Sequence, residues 1–130
     1  MLGYRSSARE VVATHLTRSG PLATHERDRF VPDYEHDSAV VADIFDRTKG
    51  ASTYLGDWHS HPRSEASLSS KDRNTLVNIA TSGSANQESP IMIVLAKPIE
   101  GWHAKAWQGS LRRLGPFRWL RADALDIVEY

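Results

Sequence analysis

Cysteine is absent from the 130 residues. That excludes a disulfide framework, a thiol nucleophile and a zinc site of the Cys type, and it mildly favours a cytoplasmic home. Charge of one sign is lacking too. Sixteen Lys and Arg cancel sixteen Asp and Glu, so no basic field invites nucleic acid or an anionic membrane. No apolar run approaches the roughly 20 residues of a membrane span, and the N-terminus has no signal-peptide pattern. Neither an internal repeat nor a low-complexity tract interrupts the chain. What remains is the composition of a soluble globular protein, 40% hydrophobic and 25% charged, in one chain long enough for a core.

The chain is organised around Gly56 to Asp72, which reads Gly-Asp-Trp-His-Ser-His-Pro-Arg-Ser-Glu-Ala-Ser-Leu-Ser-Ser-Lys-Asp. Ser52 to Ser60 is β-branched, aromatic and apolar enough to read as a strand. Side chains two apart on a strand share a face, so His59 and His61 project together and Ser60 points away. Pro62 ends the strand because it cannot donate to the ladder. After a polar loop, Ser69-Ser-Lys-Asp72 has the form of a capping box opening a helix. Asp72 then falls in the first turn, where free N–H groups favour a carboxylate.

Two imidazoles from a strand end and one carboxylate from a helix start can converge on one point. Three protein ligands of N, N and O type, with a fourth position for water, mark a catalytic zinc site rather than a closed structural one. Each part alone has a plainer reading. His-x-His is weak by itself, and Ser69 with Asp72 makes an ordinary helix cap. The spacing of all four on a strand, loop and helix carries the metal-site reading.

The pattern His59-x-His61-Pro62, then Ser69-x-x-Asp72, resembles the JAMM motif of the JAB/MPN domain metallopeptidases. Arg29-Phe30-Val31-Pro32-Asp33 and Tyr54-Leu55-Gly56-Asp57-Trp58 are similar to the bacterial branch of that family, and the likeness runs from Met1 to about Gln108. The resemblance implies Zn2+ as cofactor, held by His59, His61 and Asp72. It implies that Ser69 hydrogen-bonds the attacking water or the oxyanion formed from it. Members also carry a catalytic Glu in an upstream strand. Met1-Leu2-Gly3-Tyr4 resembles the tail of that strand, so the expected Glu lies just before Met1, with a preceding strand and helix.

Along the rest of the chain, Arg5 to Arg9 reads as a polar turn and Glu10 to Thr17 as a strand. Leu22 to Val31 reads as a second strand, paired with it as a hairpin, with His15 and His25 at solvated positions. Pro32-Asp33 leads into a helix from Tyr34 to Thr48 with an apolar stripe of Val40, Val41, Ile44 and Phe45. Gly50 is the expected left-handed C-cap. A second helix runs from Ser70 to about Ala80, and Leu76 and Ile79 share the face of Asp72. Arg63 and Glu65 sit in the loop between, most simply solvated. Ile91 to Ala96 is apolar on both faces, as a central strand requires. Lys97 to Gly101 reads as a hairpin-like turn, and Trp102 to Gln108 as an alternating strand with His103 exposed.

After Gly109 the chain is first basic and aromatic, then acidic and apolar. This tail reads as a strand completing the sheet, a partner-binding segment or an extension packed on the domain. Arg with aromatics can bind nucleic acid, but the neutral balance favours packing or protein contact. The expected fold is α/β: a mixed β-sheet with two main helices, in outline the JAB/MPN (cytidine-deaminase-like) fold without its first strand and helix. Residues 1–108 form the metallopeptidase core, and 109–130 an extension on the same domain.

The resemblance implies hydrolysis of an amide or isopeptide bond at the C-terminus of a ubiquitin-like or sulfur-carrier protein, with no nucleic-acid or membrane partner. Two other readings stand beside it. One is an inactive zinc-binding domain that docks such partners, and the other is a metal-free scaffold.

Overall fold

The strand and helix signals of the sequence materialise in the order β1 (Leu2–Arg5), β2 (Val11–His15), β3 (Thr24–His25), β4 (Phe30–Val31), α1 (Tyr34–Arg47), β5 (Thr53–Tyr54), β6 (Gly56–His61), α2 (Ser70–Thr81), β7 (Ile91–Ala96), β8 (His103–Leu114) and β9 (Phe117–Leu125). The computed structural model describes every residue except Arg9, Arg27, Asp28, Arg29, Pro98, Glu100 and Tyr130. Parts of the expected turns at Arg5 to Arg9 and Lys97 to Gly101, and the middle of Leu22 to Val31, therefore lie outside the described residues. The chain divides into two units, Met1–Leu55 and Gly56–Tyr130.

In the first unit, β1 is the middle strand of a three-stranded sheet, flanked by β2 and β5. Among the described residues the expected hairpin between Glu10–Thr17 and Leu22–Val31 does not form. Instead β2 pairs antiparallel with β1, bringing Gly3 opposite Ala13. Thr24–His25 and Phe30–Val31 pair with each other.

Helix α1 starts at the expected turn. Asp33 is its N-cap, accepting from the His36 N–H, and its other oxygen accepts from the Leu22 N–H. Of the apolar stripe, Ile44 is fully buried, whereas Phe45 remains 46% exposed. At the C-terminus the left-handed turn begins one residue earlier than expected. Lys49 takes φ 52 and Gly50 φ 79. The Gly50 N–H donates to the Phe45 carbonyl and the Lys49 N–H to the Asp46 carbonyl, the pair of bonds that defines a Schellman closure.

The expected single strand from Ser52 to Ser60 is two strands in two sheets. β5 pairs with β1, the chain breaks step at Leu55, and β6 pairs with β7. Gly56 makes the break. Its φ is +144, and a Cβ there would stand 1.9 Å from the Ile91 carbonyl oxygen. Only glycine lets the two backbones approach this closely.

The second unit is a four-stranded mixed sheet in the order β6-β7-β8-β9. β6 and β7 run parallel, joined by α2, and the later pairs are antiparallel. This parallel pair with a helical crossover follows from the apolar Ile91–Ala96 run, which needs cover on its faces. One face of the sheet packs on α2. Leu76 of the helix joins Ala66, Met92, Val94 and Ala96 in a buried core, with Leu68, Trp107 and Leu120 packed around it. Burying side chains of the size of Leu76 and Met92 contributes on the order of 1.5–3 kcal/mol each. This core sets the position of the α2 N-terminus relative to the end of β6.

The tail resolves to the first of its three readings. Trp102–Gln108 extends into the twelve-residue β8, which runs unbroken through Gly109, and β9 returns along it after a tight turn at Gly115 with φ 56.

Candidate metal centre

Strand alternation fixes half of the site. Asp57, His59 and His61 stand opposite Met92, Val94 and Ala96. The latter three line the face that packs on α2, so both imidazoles turn towards the helix, as the His-x-His spacing requires.

Helix α2 fixes the other half. Ser69 is the N-cap, and the capping box is complete. The Asp72 N–H donates to Ser69 Oγ at 3.2 Å, and the Ser69 N–H donates to Asp72 Oδ2 at 2.8 Å. Asp72 is buried, at 8% exposure, so these bonds replace the water it loses. Its remaining oxygen is directed at His59, and the capped one faces His61. Asp72 Oδ1 lies 3.3 Å from His59 Nε2, and Oδ2 lies 3.8 Å from His61 Nε2.

The two imidazole nitrogens meet at 3.0 Å, Nε2 to Nε2, with their rings tilted by 56°. Three donor atoms from His59, His61 and Asp72 therefore lie within 4.8 Å of one another. A tetrahedral zinc with bonds of about 2.0–2.1 Å needs its ligand atoms roughly 3.3 Å apart. The observed spacings of 3.0 and 3.3 Å fit that demand, and the third, from His61 Nε2 to Asp72, is wider at 3.8 Å. The residues present suit a metal with neutral nitrogen and anionic oxygen donors.

Protonation is arranged to match. His61 Nδ1 is 3.1 Å from the Glu65 carbonyl. A carbonyl only accepts, so Nδ1 carries the proton and Nε2 keeps its lone pair for a ligand. Burial lowers the pKa of His59 and proximity to His61 lowers it further, against the opposing pull of Asp72 and Asp57. His59 is thus held in the neutral form at neutral pH.

The sequence singled out His59, His61, Ser69 and Asp72, and the structure brings all four to the junction of β6 and α2. The residues expected to be solvated stay apart from it. Arg63 is exposed, and so are His25 and His103. Two contributors escaped the sequence reading. The Glu65 carbonyl that orients His61 is a backbone atom and carries no residue signature. Asp57 shares the His59 face by the same two-residue alternation that flagged the histidines, and that alternation could have found it.

A strand-end histidine pair facing a helix-capping carboxylate gathers three donors that could hold a metal ion. Comparison with known proteins agrees. A family model described as prokaryotic homologs of the JAB domain matches residues 1–109. The chain is also 34% identical, over 131 residues, to a "Probable metalloprotease y4qB" of Sinorhizobium fredii (strain NBRC 101917 / NGR234). That match takes in 99% of this chain and 80% of the relative. The chain belongs to the prokaryotic JAB family, and family and site together make it a metal-dependent hydrolase.

Proposed function

We propose that this protein is a JAMM-type zinc metallopeptidase acting on the amide or isopeptide bond at the C-terminus of a ubiquitin-like or sulfur-carrier protein. The observation that carries the reading is the convergence of His59, His61 and Asp72 beside the Ser69 hydroxyl. The name of the relative, a probable metalloprotease, supports the same class.

In this reading His59 Nε2, His61 Nε2 and Asp72 Oδ1 hold the zinc. Bound there, zinc supplies Lewis-acid activation of a water and of the scissile carbonyl. The Glu65 carbonyl keeps the His61 ring in its ligating tautomer. The Ser69 N–H keeps one Asp72 oxygen occupied, so the other is aimed at the site. Ser69 Oγ accepts from the Asp72 N–H, which leaves its own proton free to donate. That proton stabilises the oxygen of the carbonyl as negative charge develops on it. None of the described carboxylates is given the transfer of a proton from the attacking water to the departing amine.

The substrate is a protein, not a nucleic acid or a membrane. No helix of the described residues is long and apolar enough to cross a bilayer, and we place the reaction in the cytoplasm. The test uses the zinc-loaded protein as its host makes it, assayed on ubiquitin-like and sulfur-carrier proteins fused at their C-termini to a peptide. Cleavage that disappears in His59→Ala and Asp72→Asn is expected. Stoichiometric zinc with no cleavage of either fusion would replace this reading with a non-catalytic docking domain.

A further inference from the structure

Strand β9 lies at the edge of its sheet, paired with β8 alone among the described strands. It is long for an edge, at nine residues, and Phe117 and Trp119 on it are 72% and 50% exposed. Exposed edges of this kind are normally blunted by one kind of charge, by proline or by a bulge. Here the charges change sign along the strand. The stretch from residue 117 to 127 reads Phe-Arg-Trp-Leu-Arg-Ala-Asp-Ala-Leu-Asp-Ile.

That order is self-complementary about Ala122. Laid antiparallel on itself with Ala122 opposite Ala122, the stretch sets Arg121 against Asp123 and Arg118 against Asp126. It also sets Trp119 against Leu125, Phe117 against Ile127 and Leu120 against Ala124. Directly opposed residues of an antiparallel pair project from the same face. Phe117 and Trp119 of each copy therefore meet Ile127, just past the end of β9, and Leu125 of the other, making two apolar clusters on one side of the joined sheets, one at each end of the central Arg121 and Asp123 pairs. A two-fold axis normal to the sheet must pass through a residue, because paired side chains point the same way. Centring it one residue earlier opposes Arg121 to Arg121, and one residue later Asp123 to Asp123. The Ala122 register alone pairs every charge with its opposite.

We propose that a second copy of this chain docks on β9, edge to edge about Ala122, making an eight-stranded sheet across a two-fold dimer. Such an interface is isologous, with the same patch serving both copies. Within one chain Arg121 Nε already lies 2.7 Å from Asp123 Oδ1. Dimerisation places a second such pair alongside and converts the two into a four-charge cluster.

Sedimentation equilibrium on the full chain tests this. The expected result is a concentration-dependent species of twice the 14.5 kDa monomer mass. Arg118→Asp sets two carboxylates face to face on each side of the axis and weakens the dimer by on the order of tenfold. Arg118→Asp combined with Asp126→Arg restores it. The sharper test mixes two chains. One carries Arg118→Asp and Arg121→Asp, and the other carries Asp123→Arg and Asp126→Arg. Each is expected to be monomeric alone, and the mixture to dimerise one to one. All four positions are solvent-facing or half-exposed, and an unchanged circular dichroism melt verifies that each chain folds. A wild-type chain monomeric at every concentration overturns the proposal. So does a dimer indifferent to these reversals, which would use another surface.

Discussion

Ser69 and Asp72 hold each other. The backbone N–H of each donates to the side chain of the other, at 2.8 Å and 3.2 Å. One pair of residues thereby begins the helix and aims a metal ligand. Ser69 caps the helix and, in the proposed function, donates to the developing oxyanion, so its substitutions must be read on both axes. Ser69→Ala is expected to destabilise the fold by about 1 kcal/mol through loss of the cap and to reduce turnover by roughly 10²–10³-fold through loss of an oxyanion donor. Ser69→Thr should restore both. Ser69→Asp should restore the cap but not the donor. Urea denaturation alongside kcat separates the two effects. Equal activity in the Ala and Thr variants would remove Ser69 from the chemistry.

Loss of any one donor should empty the centre. His59→Ala, His61→Ala and Asp72→Asn are each expected to weaken zinc binding by at least about 100-fold, since even outer-shell partners of a ligand cost 10–100-fold when removed. Asp72→Asn is the informative member, because its amide oxygen still accepts from the Ser69 N–H and leaves the cap in place. Equilibrium dialysis against a zinc buffer, read by atomic emission, gives the affinities. Retention of tight zinc by the His59 variant would contradict the assigned donor set.

The metal-free chain should lose stability in mild acid. Burial holds His59 below its ordinary value of 6.5. The unfolded chain therefore takes up a proton at a higher pH than the folded chain does. Stability is full above about 6.5, declines as pH falls below it, and levels off only beneath the lowered folded value. Urea midpoints in a chelator at pH 7.5 and pH 5.5 measure the decline. His59→Gln should flatten it over that window. An unchanged slope in this variant would locate the proton uptake elsewhere.

Gly56→Ala should be among the most damaging single changes in the second unit. A Cβ 1.9 Å from the Ile91 carbonyl oxygen, at φ +144, forces the first pair of the β6–β7 ladder apart. A loss of more than about 3 kcal/mol is expected, beyond the range of ordinary substitutions. Hydrogen exchange of the β6 amides would report it. A mild effect, below about 1 kcal/mol, would mean that β6 can enter its sheet by another route.

Features coded by neighbours in sequence were legible. The alternation of His59 and His61, the Ser69 capping box, the Leu76 and Ile79 face of α2 and the buried Ile91–Ala96 strand all depend on residues a few positions apart. What escaped depends on partners far along the chain or on backbone atoms. β2 pairs with β1 on one edge and not with the equally near residues 22–31 on the other, and no local signal distinguishes those two ladders. The break at Leu55 turns on the approach of Ile91 to Gly56, some 35 residues away. Lys49 accepted a left-handed conformation that glycine was expected to supply, because the Schellman bonds at the end of α1 compensate its strain. The β8–β9 pairing was one of three readings until the Gly115 turn closed it.

All three donors come from the stretch between His59 and Asp72, a single passage from strand to helix. An ion held there is a clasp on one short loop, not a rivet between remote segments. Closing so short a loop removes little chain entropy and takes well under a microsecond. The parallel ladder of β6 and β7, by contrast, must pair residues some 35 positions apart, Gly56 with Ile91 among them. The metal can therefore be an early resident of the folding chain, fastened before the sheet around it is complete.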